Sequence, residues 1–577
     1  MLPNPPVLSV KDLRVAFGSV EAVHGLSFDI HRGETLALVG ESGSGKSATA
    51  LSILRLIERE GGRIAGGSIT LSGTPPLELT TLPEPALQRV RGNRISMIFQ
   101  EPMTSLNPVM NVGSQLAEVF VRHQAMTHRQ ALEAARAGLE KVRIPDPARR
   151  LGQYPHELSG GLRQRVMIAM ALACRPELLI ADEPSTALDV TTQAEILHLI
   201  RALQADIGMA VLFITHDMGV VAEMADHVVV MKHGQVVEEA AAATLFARPR
   251  ADYSRRLMAA TPRLGAGSPA PIPRPEPVLE VRNLSTRFAS RQGLFNRKDA
   301  GVLAVRDVSL TLGRGETLGL VGESGCGKST LARSILRLIE PSAGEVRIMG
   351  ADITALTGEA LRPMRRAAQM IFQDPYASLN PRHAVRDLVT EPARLHGLVN
   401  AADRRELAVS LVERVGLEAD AVDRFPHQFS GGQRQRLCVA RALSLRPGVI
   451  IADEPVSALD VSIARQVTDL MLDLQRADDM SFLFISHDIA VVERVSHRIA
   501  VMYGGQIVEM GPSQQVLRNP RHSYTRRLLA AVLSPDPARR RAGAAPGAPL
   551  PGTRAPEGEP AALHEAAPGH FVRPEAA

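Results

Sequence analysis

One glycine-rich pattern occurs twice in this 577-residue chain and constrains its fold more than any other feature. The first copy, GESGSGKS, spans residues 40–47, and the second, GESGCGKS, spans residues 322–329. Both fit G-x-x-x-x-G-K-[ST], a loop whose backbone N–H groups converge on phosphate oxygens at the start of a helix. Two copies in register make a chance match negligible, so the pattern predicts two phosphate-binding loops.

The repeat extends far beyond the loops. Matching positions are 282 residues apart at the loops, 273 apart at Gln100 and Gln373, and 271 apart from Ser159 and Ser430 onward. A register held over this length predicts two copies of one domain rather than two isolated motifs.

The composition of the connecting segments sets the expected boundaries. We predict domains over 7–260 and 278–535, each ending in a C-terminal extension. Residues 261–277 are rich in Pro, Gly, Ala and Ser, which predicts an extended linker. The same composition after the second domain predicts a disordered tail over 536–577.

Apolar runs flank the two loops in the same way. Residues 36–39 and 318–321 lead into the loops, and residues with helical spacing follow each loop. Later apolar runs at 178–181 and 211–215 are typical of buried parallel strands. Each half is therefore predicted to be an α/β nucleotide-binding domain of the P-loop NTPase type.

Several polar residues in these elements can carry phosphate chemistry. Only six lysines occur, and two of them, Lys46 and Lys328, lie in the loops, where a slim point charge can reach the β and γ phosphates. The hydroxyls of Ser47 and Ser329 follow them and are expected to bind Mg²⁺.

An Asp-Glu pair ends one apolar strand in each half. Asp182 and Asp453 are expected to hold the Mg²⁺ shell, because ligands bind at the carboxyl ends of parallel strands. Glu183 and Glu454 are expected to polarise the attacking water as general bases.

Between loop and carboxylates, the chain reads LSGGLRQR at 158–165 and FSGGQRQR at 429–436. These segments resemble the signature of ATP-binding-cassette (ABC) ATPases, and the other motifs follow in family order in both halves. The resemblance implies that each domain has a parallel-sheet core, an antiparallel subdomain and a helical signature subdomain. It also implies that each ATP is sandwiched between the loop of one half and the signature of the other, so that the chain works as an intrachain pseudo-dimer.

The resemblance assigns further roles. His216 and His487 would contact and sense the γ-phosphate, Gln100 and Gln373 would bind nucleotide and Mg²⁺, and Phe17 and Phe288 would stack on adenine, although core packing is the alternative for the two phenylalanines. The remaining nucleotide-binding residues that it implies lie in the two loops and the two signatures: Gly40, Ser42, Gly43, Gly45, Ser159, Gly160, Gly161, Gly322, Ser324, Gly325, Gly327, Thr330, Ser430, Gly431 and Gly432.

The two halves differ from the family pattern at a few positions. Ala48 stands in the first loop where the second has Thr330, Leu162 stands where the family usually has Gln, and Phe429 where it usually has Leu. Both halves keep the catalytic Glu and His, so we predict two working but unequal ATP sites.

Two further segments indicate transport. QEPMTSLNP at 100–108 and QDPYASLNP at 373–381 look like the di/oligopeptide branch of ABC importers, and ADYSRRL at 251–257 and RHSYTRRLL at 521–529 are similar to the C-terminal extension of that branch. The branch implies an ATPase subunit at the cytoplasmic face of the inner membrane. It would energise two permeases. An extracytoplasmic solute-binding protein would deliver the substrate, a dipeptide, an oligopeptide or glutathione, to them.

A soluble tandem-cassette ATPase acting on ribosomes or DNA is the alternative. The linker is short and Pro-rich rather than long, charged and helical, and no coiled-coil or zinc insertion is present, which disfavours it. The net charge of +5 shows no clustered basic patch with interleaved aromatic residues, so we expect no nucleic-acid partner. No apolar run reaches the length of a membrane span, and the N-terminus lacks the pattern of a secretory signal.

Overall fold

The structure is a computed structural model. It describes residues 5–100, 105–185, 188–273, 275–288, 301–457, 459–540 and 561–575. These residues form two compact units: unit 1 comprises the described residues within 1–188, 192–261 and 533–545, and unit 2 comprises those within 189–191, 262–532 and 546–577.

Unit 1 contains two sheets. Four strands pair antiparallel in the order β2-β1-β4-β5, and six strands form a second sheet in the order β10-β9-β3-β8-β7-β6, which is parallel except for β10. The strands are β1 Leu8–Phe17, β2 Val20–Ile30, β3 Thr35–Val39, β4 Gly62–Leu71, β5 Leu77–Glu78, β6 Ile95–Ile98, β7 Leu178–Asp182, β8 Ala210–Thr215, β9 His227–Lys232 and β10 Gln235–Ala241.

Ten α-helices of unit 1 are described. They are α1 Lys46–Ile53, α2 Glu84–Val90, α3 Val112–Gln124, α4 His128–Lys141, α5 Pro147–Leu151, α6 Gly160–Leu172, α7 Val190–Ile207, α8 Met218–Met224, α9 Ala242–Ala247 and α10 Asp252–Ala260. Helices α3, α4 and α6 pack against one another around Leu116, Leu139 and Ile168, which are fully buried.

Unit 2 repeats this plan. Its antiparallel sheet has the order β12-β11-β14-β15, and its second sheet has the order β16-β17-β18-β13-β19-β20-β22-β21. The strands are β11 Pro277–Phe288, β12 Val302–Gly313, β13 Thr317–Val321, β14 Ala343–Ile348, β15 Ala351–Asp352, β16 Ala368–Ile371, β17 Val449–Asp453, β18 Ser481–Ile485, β19 Arg498–Tyr503, β20 Gln506–Pro512, β21 His564–Ala567 and β22 His570–Val572.

The helices described in unit 2 follow the same order. They are α11 Lys328–Ile335, α12 Leu361–Ala367, α13 Pro375–Ser378, α14 Val385–Leu395, α15 Arg404–Arg414, α16 Gly431–Leu443, α17 Val461–Asp478, α18 Ile489–Val495, α19 Ser513–Arg518 and α20 Ser523–Ala531.

Continuous apolar sequence explains the central strands. All five residues of β3 and all five of β13 are buried, as parallel strands covered on both faces require. Each of these strands ends directly before a glycine-rich loop, and the following helix begins at the loop lysine. The predicted fold class, a tandem P-loop α/β architecture with an antiparallel subdomain, is confirmed.

The prediction of a disordered tail over 536–577 is wrong for its last part. Residues 564–567 and 570–572 form the hairpin β21–β22, and β22 pairs antiparallel with β20 through Glu509 and Met510. His570 is buried and contacts the buried Glu509 at 2.7 Å between Nε2 and Oε1. Composition missed this hairpin because its backbone is satisfied by an existing sheet edge rather than by a core of its own.

No helix in the described ranges is both long enough and apolar enough to cross a bilayer.

Candidate functional site

The loop at 40–47 wraps around its own lysine. Lys46 is 6% exposed, and its Nζ donates to the carbonyl oxygens of Gly40 at 2.7 Å and Glu41 at 2.9 Å. A third contact reaches Ser44 Oγ at 3.3 Å. The ammonium therefore lies at the start of α1, where the helix N-terminus adds partial positive charge.

The second loop has the same geometry. Lys328 is 5% exposed, and its Nζ donates to Gly322 at 2.8 Å and Glu323 at 2.9 Å. Cys326 replaces Ser44 and lies 3.8 Å from Nζ through its Sγ. The two halves differ in sequence, yet each places a buried ammonium against the same two backbone carbonyl oxygens of its loop.

Glycine is required where the loops turn into their helices. Gly45 and Gly327 have φ of 98° and 108°, in the left-handed region. A Cβ on Gly45 would lie 2.8 Å from the carbonyl oxygen of Ala22, and one on Gly327 would lie 2.4 Å from that of Ala304. Any side chain at these positions would therefore displace the loop from the adjacent strand.

The first carboxylate of each pair meets the loop serine. Asp182, at the end of β7, accepts a hydrogen bond from Ser47 Oγ at 3.3 Å. Asp453, at the end of β17, accepts one from Ser329 Oγ at 3.0 Å. Each pair brings two hard oxygen donors together beside the loop, the ligand type that Mg²⁺ prefers.

Burial dominates the electrostatics of these aspartates. It raises the pKa of Asp182 from 3.8 to about 6, against the opposing effects of the Ser47 hydrogen bond and the Lys46 charge, and the neighbouring Glu183 adds to the rise. Burial likewise raises the pKa of Asp453. A buried carboxylate that resists ionisation is suited to a cation, because a cation offsets the cost of its charge.

Asp182 should therefore destabilise the nucleotide-free protein at neutral pH. The pKa of Asp182 is higher in the folded than in the unfolded protein, so Asp182 does not lower the free energy of unfolding below about pH 4. The loss of stability develops as the pH rises from about 4 to about 6, and above that it stays at about 3 kcal/mol. We expect Asp182→Asn to raise the melting temperature without nucleotide at pH 7.5 but not at pH 4, as measured by calorimetry. The exposed Asp206→Asn is the control, and a lower melting temperature of Asp182→Asn at pH 7.5 would contradict the assignment.

The second carboxylate of the first pair is held by two side chains from other elements. Glu183 Oε2 accepts a hydrogen bond from Gln100 Nε2 at 3.1 Å, and Glu183 Oε1 lies 2.9 Å from His216 Nδ1. Glu183 has a φ of 48°, an unusual conformation for a residue other than glycine, and its N–H donates to the carbonyl of Ile214. The strained backbone turns the carboxylate away from the strand and toward these partners.

Unit 2 reproduces this arrangement around Glu454. Its Oε2 accepts from Gln373 Nε2 at 2.9 Å and lies 3.3 Å from His487 Nδ1, and its φ is also 48°. Burial alone would raise the pKa of Glu454, but the hydrogen bond and charge of His487 lower it below its usual value. Burial opposes the charged form of His487, and Glu454 nevertheless raises the pKa of that imidazole. The glutamate is thus kept ionised at neutral pH.

The signature serines cap helices in both units. Ser159 precedes α6 and accepts from the N–H of Leu162 at 3.4 Å, and Ser430 precedes α16 and accepts from the N–H of Gln433 at 3.4 Å. Gln433 Oε1 also accepts from the Ser430 N–H at 3.0 Å, a reciprocal bond that Leu162 cannot make. The leucine therefore leaves the first signature with a weaker cap.

The other predicted residues occupy varied positions. Phe17 and Phe288 end strands β1 and β11 and are 36% and 43% exposed, so neither ring belongs to the core. Ser42, Gly43, Ser324 and Gly325 lie in the loops, and Thr330 in the first turn of α11. Residues 101–104, which belong to the segment 100–108 noted above, lie outside the described residues, as do 186–187 and 458.

Comparison with known protein families agrees with this geometry. A family model described as ABC transporter matches residues 23–186 and 305–457, more than half of the chain. The chain belongs to the ABC transporter ATP-binding family. It is an ABC-type ATPase with two nucleotide-binding cassettes. A second model, described as Oligopeptide/dipeptide transporter, C-terminal region, matches residues 508–560.

Individual ABC proteins are similar over nearly the whole length. The chain is 52% identical to the glutathione import ATP-binding protein GsiA of Salmonella typhimurium (strain LT2), covering 94% of this chain and 92% of that protein. Identity to GsiA of Escherichia coli (strain K12) is also 52%, covering 93% and 91%. A solved dimeric ATP-binding cassette with bound ADP and phosphate is 28% identical, with a TM-score of 0.37, covering 41% of this chain and 98% of its own.

Two tyrosines of this ABC ATPase contact the loops but were given no role by the sequence. The N–H of Glu41 donates to Tyr253 Oη at 3.2 Å, and the N–H of Glu323 donates to Tyr524 Oη at 2.9 Å. Each tyrosine lies in the helix that follows its cassette, α10 or α20. The signal was present, because Tyr253 and Tyr524 match at the offset of 271 residues that the other motifs share.

Proposed function

We propose that this chain is the ATP-hydrolysing subunit that energises import of glutathione or a related short peptide across the inner membrane. Likeness to glutathione import ATP-binding proteins over 94% of the chain carries this proposal. The match to an oligopeptide/dipeptide transporter C-terminal region supports the same substrate class. The chain would lie peripherally at the cytoplasmic face, with two permeases and an extracytoplasmic solute-binding protein as partners.

The two loops would bind the triphosphate. Lys46 and Lys328 would exchange their carbonyl contacts for the β and γ phosphates, whose negative charge a carbonyl oxygen cannot match. Ser47 with Asp182, and Ser329 with Asp453, would hold Mg²⁺, which neutralises developing phosphate charge when bound. Gln100 and Gln373 are proposed to contribute to the same shell.

The two glutamates would act on water. Glu183 and Glu454 are proposed to accept a proton from the attacking water, and His216 and His487 to orient them and contact the γ-phosphate. The ionised state of Glu454 supports this role, because a general base must be unprotonated. The pairing of each loop with the signature of the other cassette stays a prediction from the resemblance.

Each unit also has a groove near its glutamine that could receive a permease. Groove 1, in unit 1, includes Met97, Phe99, Val119, His123 and Met170. Its one arginine, Arg91, is committed, since its guanidinium donates to Leu54 O at 2.7 Å and to Glu84 Oε1 at 2.6 Å. Groove 1 is therefore largely apolar and Met-lined, a surface that suits an apolar side chain of a docking helix.

Groove 2, in unit 2, has arginines at two positions where groove 1 has none. Arg365 stands where groove 1 has Gly92. Arg441 stands where groove 1 has Met170, but its Nη1 donates to Ser378 O at 2.6 Å, and Glu391 adds one carboxylate to the lining, so Arg365 carries the difference in charge. Arg365 is exposed. The matching imidazoles His123 and His396 do not distinguish the grooves, because burial and neighbouring arginines lower the pKa of both. Groove 2 therefore suits a helix that brings a carboxylate, so the two grooves favour different permeases.

Co-purification from membranes tests both the function and this asymmetry. We expect the full chain, expressed with its two permeases, to retain both permeases in detergent. Arg365→Glu should lower the recovery of one permease at least about tenfold, and Met170→Glu should lower the recovery of the other permease by a similar factor. Mass spectrometry quantifies each permease, and Arg518→Glu, an exposed arginine outside the groove, is the control.

The outcomes distinguish a failure of the proposed function from a failure of the proposed difference between the two grooves. Recovery of ribosomes and no permease with the unaltered chain would overturn the proposed function in favour of a soluble ATPase. Recovery of two permeases that both variants lose equally would leave the function standing and contradict the asymmetry of the grooves. ATP binding of each variant shows whether it is folded.

A further inference from the structure

The C-terminal extension of each cassette reaches the phosphate loop through one hydroxyl. Tyr524 Oη accepts the N–H of Glu323 at 2.9 Å, and Tyr253 Oη accepts the N–H of Glu41 at 3.2 Å. The two contacts join residues 201 and 212 positions apart in the chain. Their occurrence in both units makes them a property of the cassette rather than an accident of one half.

These bonds end on the peptide group that also holds the loop lysine. The peptide between Gly322 and Glu323 gives its N–H to Tyr524, and its C=O accepts Lys328 Nζ at 2.8 Å. The peptide between residues 40 and 41 likewise connects Tyr253 with Lys46. Hydrogen bonds at the two ends of one amide polarise each other, so hydroxyl, peptide and ammonium form one chain.

The tyrosine of unit 2 is closely packed on all sides. Tyr524 is fully buried, its ring centroid lies 4.4 Å from that of Tyr503, and the guanidinium of Arg527 lies 5.7 Å from the ring. Arg527 Nη2 also lies 3.6 Å from Glu323 Oε1. Burial strongly raises the pKa of Tyr524, so the phenol keeps its proton at any working pH.

The tyrosine of unit 1 is held in a similar way by a different neighbour. Tyr253 is 7% exposed, and Lys232 Nζ lies 5.0 Å above its ring. Lys232 occupies the position that Tyr503 has in unit 2. The hydroxyl contact to the loop is thus retained although the group that packs on the ring has changed.

We propose that Tyr253 and Tyr524 are positioning residues that fix the Gly–Glu peptide of each loop and thereby set how Lys46 and Lys328 meet phosphate. The extension following each cassette would then tune ATP affinity from outside the nucleotide site. The inference rests on the proposed phosphate-binding role of the two lysines. The competing explanation is that the tyrosines only pack, in which case their hydroxyls would not matter to the lysines.

A double-mutant cycle distinguishes positioning from packing. In a full-length chain carrying Lys46→Ala, so that the second loop dominates binding, Tyr524→Phe keeps the ring but removes the acceptor of the Glu323 N–H. We expect the Kd for a fluorescent ATP analogue with Mg²⁺ to rise about fivefold, the loss of one hydrogen bond. When Lys328→Ala is also present, the same Tyr524→Phe change should alter the Kd less than about twofold.

The control keeps the two packed rings of Tyr503 and Tyr524 and removes the other hydroxyl. Tyr503→Phe should alter the Kd less than about twofold, since the Tyr503 hydroxyl is not the acceptor of the loop N–H. An equal effect of Tyr524→Phe with and without Lys328, or no effect at all, would overturn the inference. If Lys328→Ala itself left ATP affinity unchanged, the proposed role of the lysine would fail first. Tyr253→Phe, tested with Lys46 in a Lys328→Ala chain, repeats the cycle should Tyr524→Phe not fold.

Discussion

Replacing both Glu183 and Glu454 with glutamine is expected to lower ATP hydrolysis by about 10²–10⁴-fold while ATP stays bound. Glutamine keeps the size of the side chain and can still contact Gln100 and His216, or Gln373 and His487 in the second unit. It cannot accept the proton of the attacking water. Phosphate release measures turnover, and retention of radiolabelled ATP on a desalting column measures trapping.

Two exposed glutamates supply the matched control for this double variant. Glu239→Gln with Glu406→Gln removes the same number of charges at the surface of units 1 and 2 and should leave turnover unchanged. Full turnover in the Glu183/Glu454 variant would remove the general-base assignment. Loss of ATP binding together with turnover would instead indicate that the glutamates hold the site together.

Replacing Lys46 and Lys328 with arginine should weaken ATP binding at least about 100-fold although the positive charge is kept. Each ammonium is nearly buried, with two carbonyl oxygens 2.7–2.9 Å from its Nζ. A planar guanidinium is wider and carries five donors in a fixed arrangement. It therefore cannot fit between the two carbonyl oxygens or bind the phosphates from that position. Equilibrium binding of a fluorescent ATP analogue measures the effect.

The control for arginine substitution is an exposed lysine. Lys141→Arg, at the end of α4, should bind ATP as the unaltered chain does. Near-normal affinity in the Lys46/Lys328 variant would mean that charge alone suffices and that the shape of the loop does not select lysine. The melting temperature of each variant separates lost binding from lost folding.

Much of the site could be predicted because its parts are contiguous in the chain. A phosphate loop needs glycines, a lysine and a helix start within eight residues, and the Asp-Glu pairs lie at the ends of buried strands. The tail shows the limit of such reasoning. Its composition indicated disorder, but residues 564–572 form a hairpin. The hairpin is stable because β22 pairs with the edge of β20 through backbone hydrogen bonds and the imidazole of His570 contacts the carboxylate of Glu509.

The sequence by itself determined the duplicated α/β cassette, the two phosphate loops and the Asp-Glu pairs at the carboxyl ends of β7 and β17, since local patterns and a constant register encode them. Only the tertiary structure decided which side chains meet. It brought Gln100 and His216 to Glu183, placed Arg365 in one groove and Gly92 in the other, and tied Tyr524 to Glu323 across 201 residues. Such contacts depend on how separate strands and helices pack, and no spacing along a single chain records that packing.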